Sequence, residues 1–533
     1  MAEIIKNPVL KGFHPDPCIC RAGDDYYIAV STFHWFPGVE IYHSRDLAHW
    51  EFTGRPLNEK RLVDMTGVPD SGGVWAPCLT YGDGIFYLIY SNVKSYRNYY
   101  KDVDNFLTCS RSICGPWSDP VYLNSSGFDP SFFHDDDGKK YLLNQQWDHR
   151  DKSASFDGIV LQEYDEEKQC LTGNPQKIFQ GSSIGMTEGP HLYKINGMYY
   201  LFCAEGGTFY EHAVTVARAG NIEGPYELSP YHPLLTSYGH PELALQKCGH
   251  GSLISTQDGE WYMAHLCGRP NGNQNRCMLG RETAIQKLKM TEDGWFVLDQ
   301  PSGLPKEAVT APELPHFPVQ KKSAKMVFPG RLPDEFQTLR IPLDSRWMDF
   351  DRERQSLILY GKESMESLHT QSLVGMRREH FHFTAETKLR FDPVHYQQAA
   401  GMALYYDTTN YFYLNLSWDE EKGRVLSVLV CDHGKIRVSK GERQPAGSAQ
   451  ELYLRMEVRN REAQFCWSPD GERYQNIGEI LDASQLSDDY YDEVVHGLRF
   501  TGTFLVLCCQ DTSGRRCRAE FEYMIYQPLD EEE

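Results

Sequence analysis

Three carboxylates, an imidazole and an indole recur at nearly one distance ahead of five tyrosines. Asp129 in FDPSF, Glu188 in EGPHL and His250 in GHGSL each stand twelve residues before Tyr141, Tyr200 and Tyr262. Trp75 in WAPCL stands twelve before Tyr87, and Asp16 in HPDP eleven before Tyr27. If these places converge, three carboxyl groups are forced together. Such clustering costs electrostatic free energy and marks places where chemistry needs it. A carboxyl pair can cleave an acetal: one protonates the departing oxygen, while the other activates water or attacks carbon. Taken alone, Pro15-Asp16-Pro17 would be a rigid turn; the recurrence argues for more.

The positioning elements are legible as a repeat. GDDYYIAV, DGIFYLIY, DGKKYLLN, NGMYYLFC and DGEWYMAH each join a turn signal to an aromatic-rich strand. Their tyrosines are spaced 54 to 62 residues apart, room for a four-stranded antiparallel sheet per unit. Helical periodicity is nearly absent before residue 300. The pattern predicts an all-β chain opening with a five-bladed β-propeller over residues 1–305, whose innermost strands line the axis. Residues 306–330 are proline-rich and read as a linker. From 331 to 533, runs such as HFHFTAETKLRF, NYFYLNLSW and ELYLRMEV predict a β-sandwich. The acidic end LDEEE reads as solvated.

Composition narrows the partners. A formal charge of −21 over 533 residues argues against nucleic acid and anionic membranes, and favours a neutral or cationic substrate. MAEIIKNPVL lacks a basic n-region and an apolar core, and no run approaches a membrane span. Fifteen cysteines without paired CxxC motifs read as buried thiols in a reducing cytoplasm. Catalysis by cysteine is not favoured.

Blade order assigns the roles. Asp129 and Glu188 fall in adjacent blades, so the charge of Asp129 keeps a proton on Glu188, the expected general acid. Asp129 becomes its tuner and a sugar-hydroxyl acceptor. Asp16 lies two blades from Glu188 and is the expected general base. A wide pair leaves room for a water, as in inverting enzymes.

Taken in order, GFHPDPCI, STFHWFPGVEI, GGVWAPCL, SSGFDPSFFHDDDGKKYLLN, TEGPHLY, AEGGT, KCGHGSL and LGRETAIQK resemble glycoside hydrolase family 43 β-xylosidases with a C-terminal concanavalin A-like β-sandwich. The likeness covers essentially the whole chain. It implies an inverting exo-enzyme that releases xylose from the non-reducing ends of β-1,4-xylooligosaccharides, with α-L-arabinofuranosidase side activity. It gives Asp16, Asp129 and Glu188 the roles of base, orienting group and acid. Phe33, Trp75 and, more loosely, Trp147 correspond to apolar walls of the sugar subsite. His250 and Arg281 correspond to groups that bind the sugar or hold the carboxylates, with Thr208 a weaker match. Phe504 is expected to reach the pocket from a capping loop of the sandwich.

The resemblance requires no cofactor but admits a structural calcium beneath His250. It implies small neutral glycosides as partners and a homo-oligomer, dimer or tetramer. The chain departs from the family pattern at 271–278, where NGNQNRCM replaces a longer loop and Met278 takes the place of a proline. Three rivals remain: an α-L-arabinofuranosidase or arabinanase as the main activity, and a non-catalytic sugar-binding propeller. Fructan and sucrose hydrolases share the architecture but would show Asn-Asp-Pro-Asn, Arg-Asp-Pro and Glu-Cys, which are absent here. His14 is left to turn packing.

Overall fold

The computed structural model describes residues 3–150, 155–271, 275–300, 302–514 and 516–529. The chain divides into two compact units, one of residues 1–269 and 281–319, the other of 270–280 and 320–533. No helix among the described residues is long and apolar enough to cross a membrane.

The first unit is the five-bladed propeller. Its successive sheets open with inner strands Cys18–Ala22, Gly73–Gly82, Ser131–His134, Glu188–Ile195 and Gln246–Ser255. Every blade pairs its strands antiparallel, in sequence order from the axis outward. The repeated tyrosines explain how blades adhere. Tyr27 packs against the second blade, Tyr87 against the third and Tyr200 against the fifth, while Tyr262 packs back against the first. Tyr141 joins the cluster between the third and fourth. The apolar core is therefore divided among the seams between blades, leaving the axis free for polar groups.

The ring is closed by the N-terminal segment. Ile4–Lys6 pairs with Ala308–Thr310, and Leu10 bridges to Thr283 on the third strand of the fifth blade. The His14 amide donates to the Arg281 carbonyl at 2.9 Å, and Thr283 Oγ1 donates to the His14 carbonyl at 2.6 Å. His14 itself is buried, with Nε2 2.7 Å from the Tyr42 hydroxyl and Nδ1 2.8 Å from the Lys11 carbonyl. The histidine of HPDP thus packs the turn that lays this segment along the last blade.

Strand pairing corrects one expectation. Counting back from the tyrosines treated Asp16, Trp75, Asp129, Glu188 and His250 as equivalent. The true partners of those tyrosines are Cys20, Thr80, Phe133, Tyr193 and Ile254. Four residues before each stand Asp16, Ala76, Asp129, Gly189 and His250. Trp75 and Glu188 sit one place earlier. The cause is turn length: the first, second and fourth blades turn through two residues, whereas the third and fifth use residues 135–139 and 256–260.

Every inner strand also carries one extra residue at this level. In the fifth blade Gly249 faces Leu266 while Ser252 faces Ala264, and the second and fourth blades slip likewise at Trp75/Cys78 and Glu188/His191. In the first and third, Pro15 and Phe128 bond Ser31 and Gln145, ahead of the pairs Cys18–Ala29 and Ser131–Leu143. Such a bulge bends a strand and re-aims its side chains. Asp16, Asp129, Gly189 and His250 occupy the extra place with φ of 55°, 53°, 56° and 52°. This left-handed region admits Gly freely and, among other residues, favours Asn, Asp and His.

The second unit is a β-sandwich. One sheet is built on His382–Phe391, Glu451–Arg459 and Arg518–Pro528, the other on Gln398–Asp407, Asn410–Asp419 and Phe504–Asp511. Burial alternates strictly along His382–Phe391, the pattern of a sheet with one face on a core. The proline-rich stretch is taken up at both ends, with Ala308–Thr310 pairing in the propeller and Lys325–Val327 pairing with Arg518–Pro528.

Candidate active site

The bulges bring the three carboxylates to one end of the axis. Asp16, Asp129 and Glu188 are 5%, 8% and 8% exposed, so all three charges are largely withdrawn from water. Arg281 Nη1 donates to Asp16 Oδ1 at 2.8 Å and Ser31 Oγ to Oδ2 at 2.7 Å, with His250 Nδ1 3.8 Å from Oδ1. Arg281 owes its place to the bonds that tie its strand to residues 10–14. The Gly189 amide donates to Asp129 Oδ2 at 3.1 Å, so the residue after Glu188 holds the carboxylate of the neighbouring blade. A side chain at Gly189 would strike the His250 ring, at 2.8 Å from Nε2.

The electrostatics separate the roles. Burial pushes Glu188 well above the usual carboxylate range, and the charges of Asp129 and then Asp16 push it further, against Arg281 and Lys101. Burial and the charge of Asp16 also raise Asp129, opposed by the Gly189 amide and Arg281. The negative charge of Asp129 therefore favours a proton on Glu188. Asp16, by contrast, is anchored by two donors, the Arg281 guanidinium and the Ser31 hydroxyl. Burial holds His250 below its usual range, so it is a neutral imidazole beside Asp16.

The expected apolar walls form one aromatic run. Phe33 lies 6.0 Å from Trp75 between ring centroids, Trp75 5.5 Å from Phe128, and Phe128 6.2 Å from Trp147. Arg281 stacks over Phe33 at 5.2 Å. Trp75 is fixed by its indole N–H donating to the Ser71 carbonyl at 2.8 Å. Thr208 lies part-exposed in the turn after strand Met198–Glu205, and no described contact joins it to the carboxylates. Phe504 belongs to the second unit, buried at the start of Phe504–Asp511 with Arg377 over its ring at 5.4 Å.

Four contributors escaped the sequence reading. Ser31 and Phe128 look like ordinary strand residues until their partners are known. Lys101 reads as a surface charge, yet its ammonium lies 4.1 Å from the Trp147 ring centroid and donates to the Tyr96 carbonyl at 3.0 Å. Burial lowers it to about 8, with Glu188 opposing that fall. Glu205 is fully buried and accepts from Thr187 Oγ1 at 2.8 Å, Thr215 Oγ1 at 2.6 Å and the Ser182 amide at 2.7 Å. It fixes the turn that delivers Glu188.

Calcium beneath His250 finds no fitting donor set among the described residues. The ion takes six to eight oxygens, whereas Asp16 is engaged by Arg281 and the next level down the axis offers two thiols, the His191 imidazole and the hydroxyls of Ser131 and Ser252. Of the departing loop, residues 272–274 lie outside the described residues. Arg276 bonds Glu493 and Ser484 of the second unit, and the Cys277 amide donates to Asp489 at 2.8 Å.

This constellation can protonate a leaving oxygen from a buried acid and take a proton at a separate, anchored carboxylate. Comparison with known proteins agrees. Residues 5–296 match the model of glycosyl hydrolases family 43, and residues 328–527 that of the beta xylosidase C-terminal concanavalin A-like domain. The chain is 46% identical to a beta-xylosidase of Bacillus subtilis, covering 98% of this chain and 99% of that one. It is 45% identical to xylosidase/arabinosidase 43B of Humicola insolens over 98% of each. The crystal structure of a xylan beta-1,4-xylosidase from Bacillus halodurans superposes with a TM-score of 0.96 at 49% identity, covering 98% of this chain and 100% of that one. Matched by the family's model across its propeller and by full-length relatives from end to end, the chain belongs to glycosyl hydrolase family 43.

Proposed function

We propose that this protein is an inverting exo-β-xylosidase that removes terminal xylose from short β-linked xylooligosaccharides. The observation that carries the reading is the division of labour among three buried carboxylates. Asp16 is anchored by Arg281 and Ser31, while Glu188 keeps its proton beside Asp129. In the proposed reaction the aromatic run receives the apolar face of the sugar, and Glu188 protonates the glycosidic oxygen. Asp16 takes a proton from the water that attacks the anomeric carbon on the opposite face. Asp129 accepts a sugar hydroxyl and sustains the proton on Glu188. Cys18, Cys20, Cys78, Cys203, Cys248, Cys431, Cys466, Cys508 and Cys509 are buried and unbridged, which supports placing the protein in a reducing compartment.

The stereochemical outcome tests the reading directly. Proton NMR of hydrolysis in progress is expected to show α-xylose first, with β-xylose appearing later by mutarotation. First-formed β-xylose overturns inversion and with it the water between the carboxylates.

A second measurement tests the acid's tuning. In Asp129→Asn the negative neighbour of Glu188 is gone, so Glu188 releases its proton at lower pH. The basic limb of the kcat/KM profile, which follows loss of the acid's proton, is expected to move to lower pH. An unmoved basic limb removes Asp129 from that role.

The relative named xylosidase/arabinosidase supports α-L-arabinofuranosidase side activity. Comparing kcat/KM on the xyloside and arabinofuranoside of one aglycone gives the ratio.

A further inference from the structure

Two residues below the bulge, each inner strand places another side chain toward the axis: Cys18, Cys78, Ser131, His191 and Ser252, equivalent by strand pairing. A purely structural repeat would fill such positions with similar apolar residues. Here all five carry a potential ligand atom. The Cys18 and Cys78 sulfurs and a His191 ring nitrogen lie within 4.8 Å of one another, and all three residues are buried. Tetrahedral zinc with sulfur at about 2.3 Å asks for about 3.8 Å between ligand atoms, within reach of small side-chain rotations. We propose that Cys18, Cys78 and His191 form a binding site for a soft divalent transition-metal ion such as Zn²⁺, with Ser131 or a water as the fourth ligand.

Two further observations point to a ligand. The Ser131 hydroxyl is buried without a hydrogen-bond partner, although its residue is only 3% exposed. A hydroxyl left so has a cost unless something meets it. His191 is buried and makes no hydrogen bond among the described residues, which leaves its ring nitrogens open to a ligand. The five residues line a cavity of about 320 Å³ that also touches Thr80, His134 and Lys194. The cavity leaves room for an ion among side chains that are otherwise largely apolar, such as Ile19, Leu79 and Leu253.

Donor type selects the metal. Two thiols and an imidazole are soft to borderline ligands that suit zinc and its neighbours and repel calcium or magnesium. Binding displaces the thiol protons to solvent as the sulfurs coordinate, with no redox change. Part of the geometry is already built, since Cys18 Sγ accepts from the Leu79 amide at 3.3 Å on the strand that carries Cys78. The ion would tie together the first, second and fourth blades.

The test uses the metal alone and the full-length protein. Chelator-treated, reduced protein dialysed against Co²⁺ is expected to bind one ion per chain, with thiolate-to-cobalt charge-transfer absorption that Zn²⁺ abolishes. Cys18→Ser/Cys78→Ser is expected to lose that absorption. His191→Gln, which keeps both thiols, is expected to bind more weakly by at least about tenfold, the loss that even an outer-shell partner can cause. No thiolate absorption in the wild type overturns the site. So does undiminished absorption in the folded double variant, which would place the ion on other thiols. Should the double variant not fold, unchanged affinity in His191→Gln decides against it. None of these readouts depends on hydrolysis, so the site stands or falls apart from the proposed activity.

Discussion

Glu188→Gln is expected to lower kcat on xylobiose by about 10²–10⁴-fold, the range over which a positioned acid contributes. The loss depends on the leaving group. A sugar alkoxide needs a proton as it departs, whereas a nitrophenolate leaves nearly unaided. The same variant is therefore expected to retain far more activity on the nitrophenyl xyloside than on xylobiose. The measurement is kcat on both substrates with circular dichroism confirming the fold. An equal loss on both denies Glu188 the acid's role.

Asp16→Asn is expected to be at least as damaging, and on both substrates alike, because every substrate needs the water activated. Asparagine is the informative replacement. Asp16 sits at φ 55°, which asparagine tolerates and alanine does not, so the Asn variant removes the charge with little backbone strain. The amide oxygen still accepts from Arg281, its NH2 faces the Ser31 hydroxyl as a donor, and neither takes a proton. Near-native turnover by this variant sinks the assignment of the base. Together the two variants separate the halves of the reaction, one sensitive to the leaving group and one indifferent to it.

The fold was largely legible because a propeller repeats its seams. Each blade needs an aromatic to pack against its neighbour, so Tyr27, Tyr87, Tyr141, Tyr200 and Tyr262 advertise the period. The carboxylates were legible because charge at inner-strand positions is expensive and therefore conspicuous. Register was not. Turn length shifts the count by one residue between blades, and a bulge can accept its extra residue without any compositional mark beyond a tolerance for left-handed backbone. Glu188 therefore stands beside the extra place and not in it, with Gly189 taking the left-handed conformation that lets the amide reach Asp129. Lys101 was hidden for a different reason. Its sequence neighbourhood is polar, and only the Trp147 ring beneath it shows that this charge is stacked on an aromatic.

The closing of the ring by the N-terminal segment has a kinetic meaning. Asp16 is held by Arg281, 265 residues away along the chain, and the strands flanking it are stitched across similar separations. Contacts so distant in sequence form late, after the loop-closure entropy between them has been overcome. A nascent or refolding chain can complete four seams and already display Asp129 and Glu188. It cannot hold the base until the fifth seam shuts. Activity thus reports on the last event of assembly, and a partly closed ring is inert toward substrate instead of partly active.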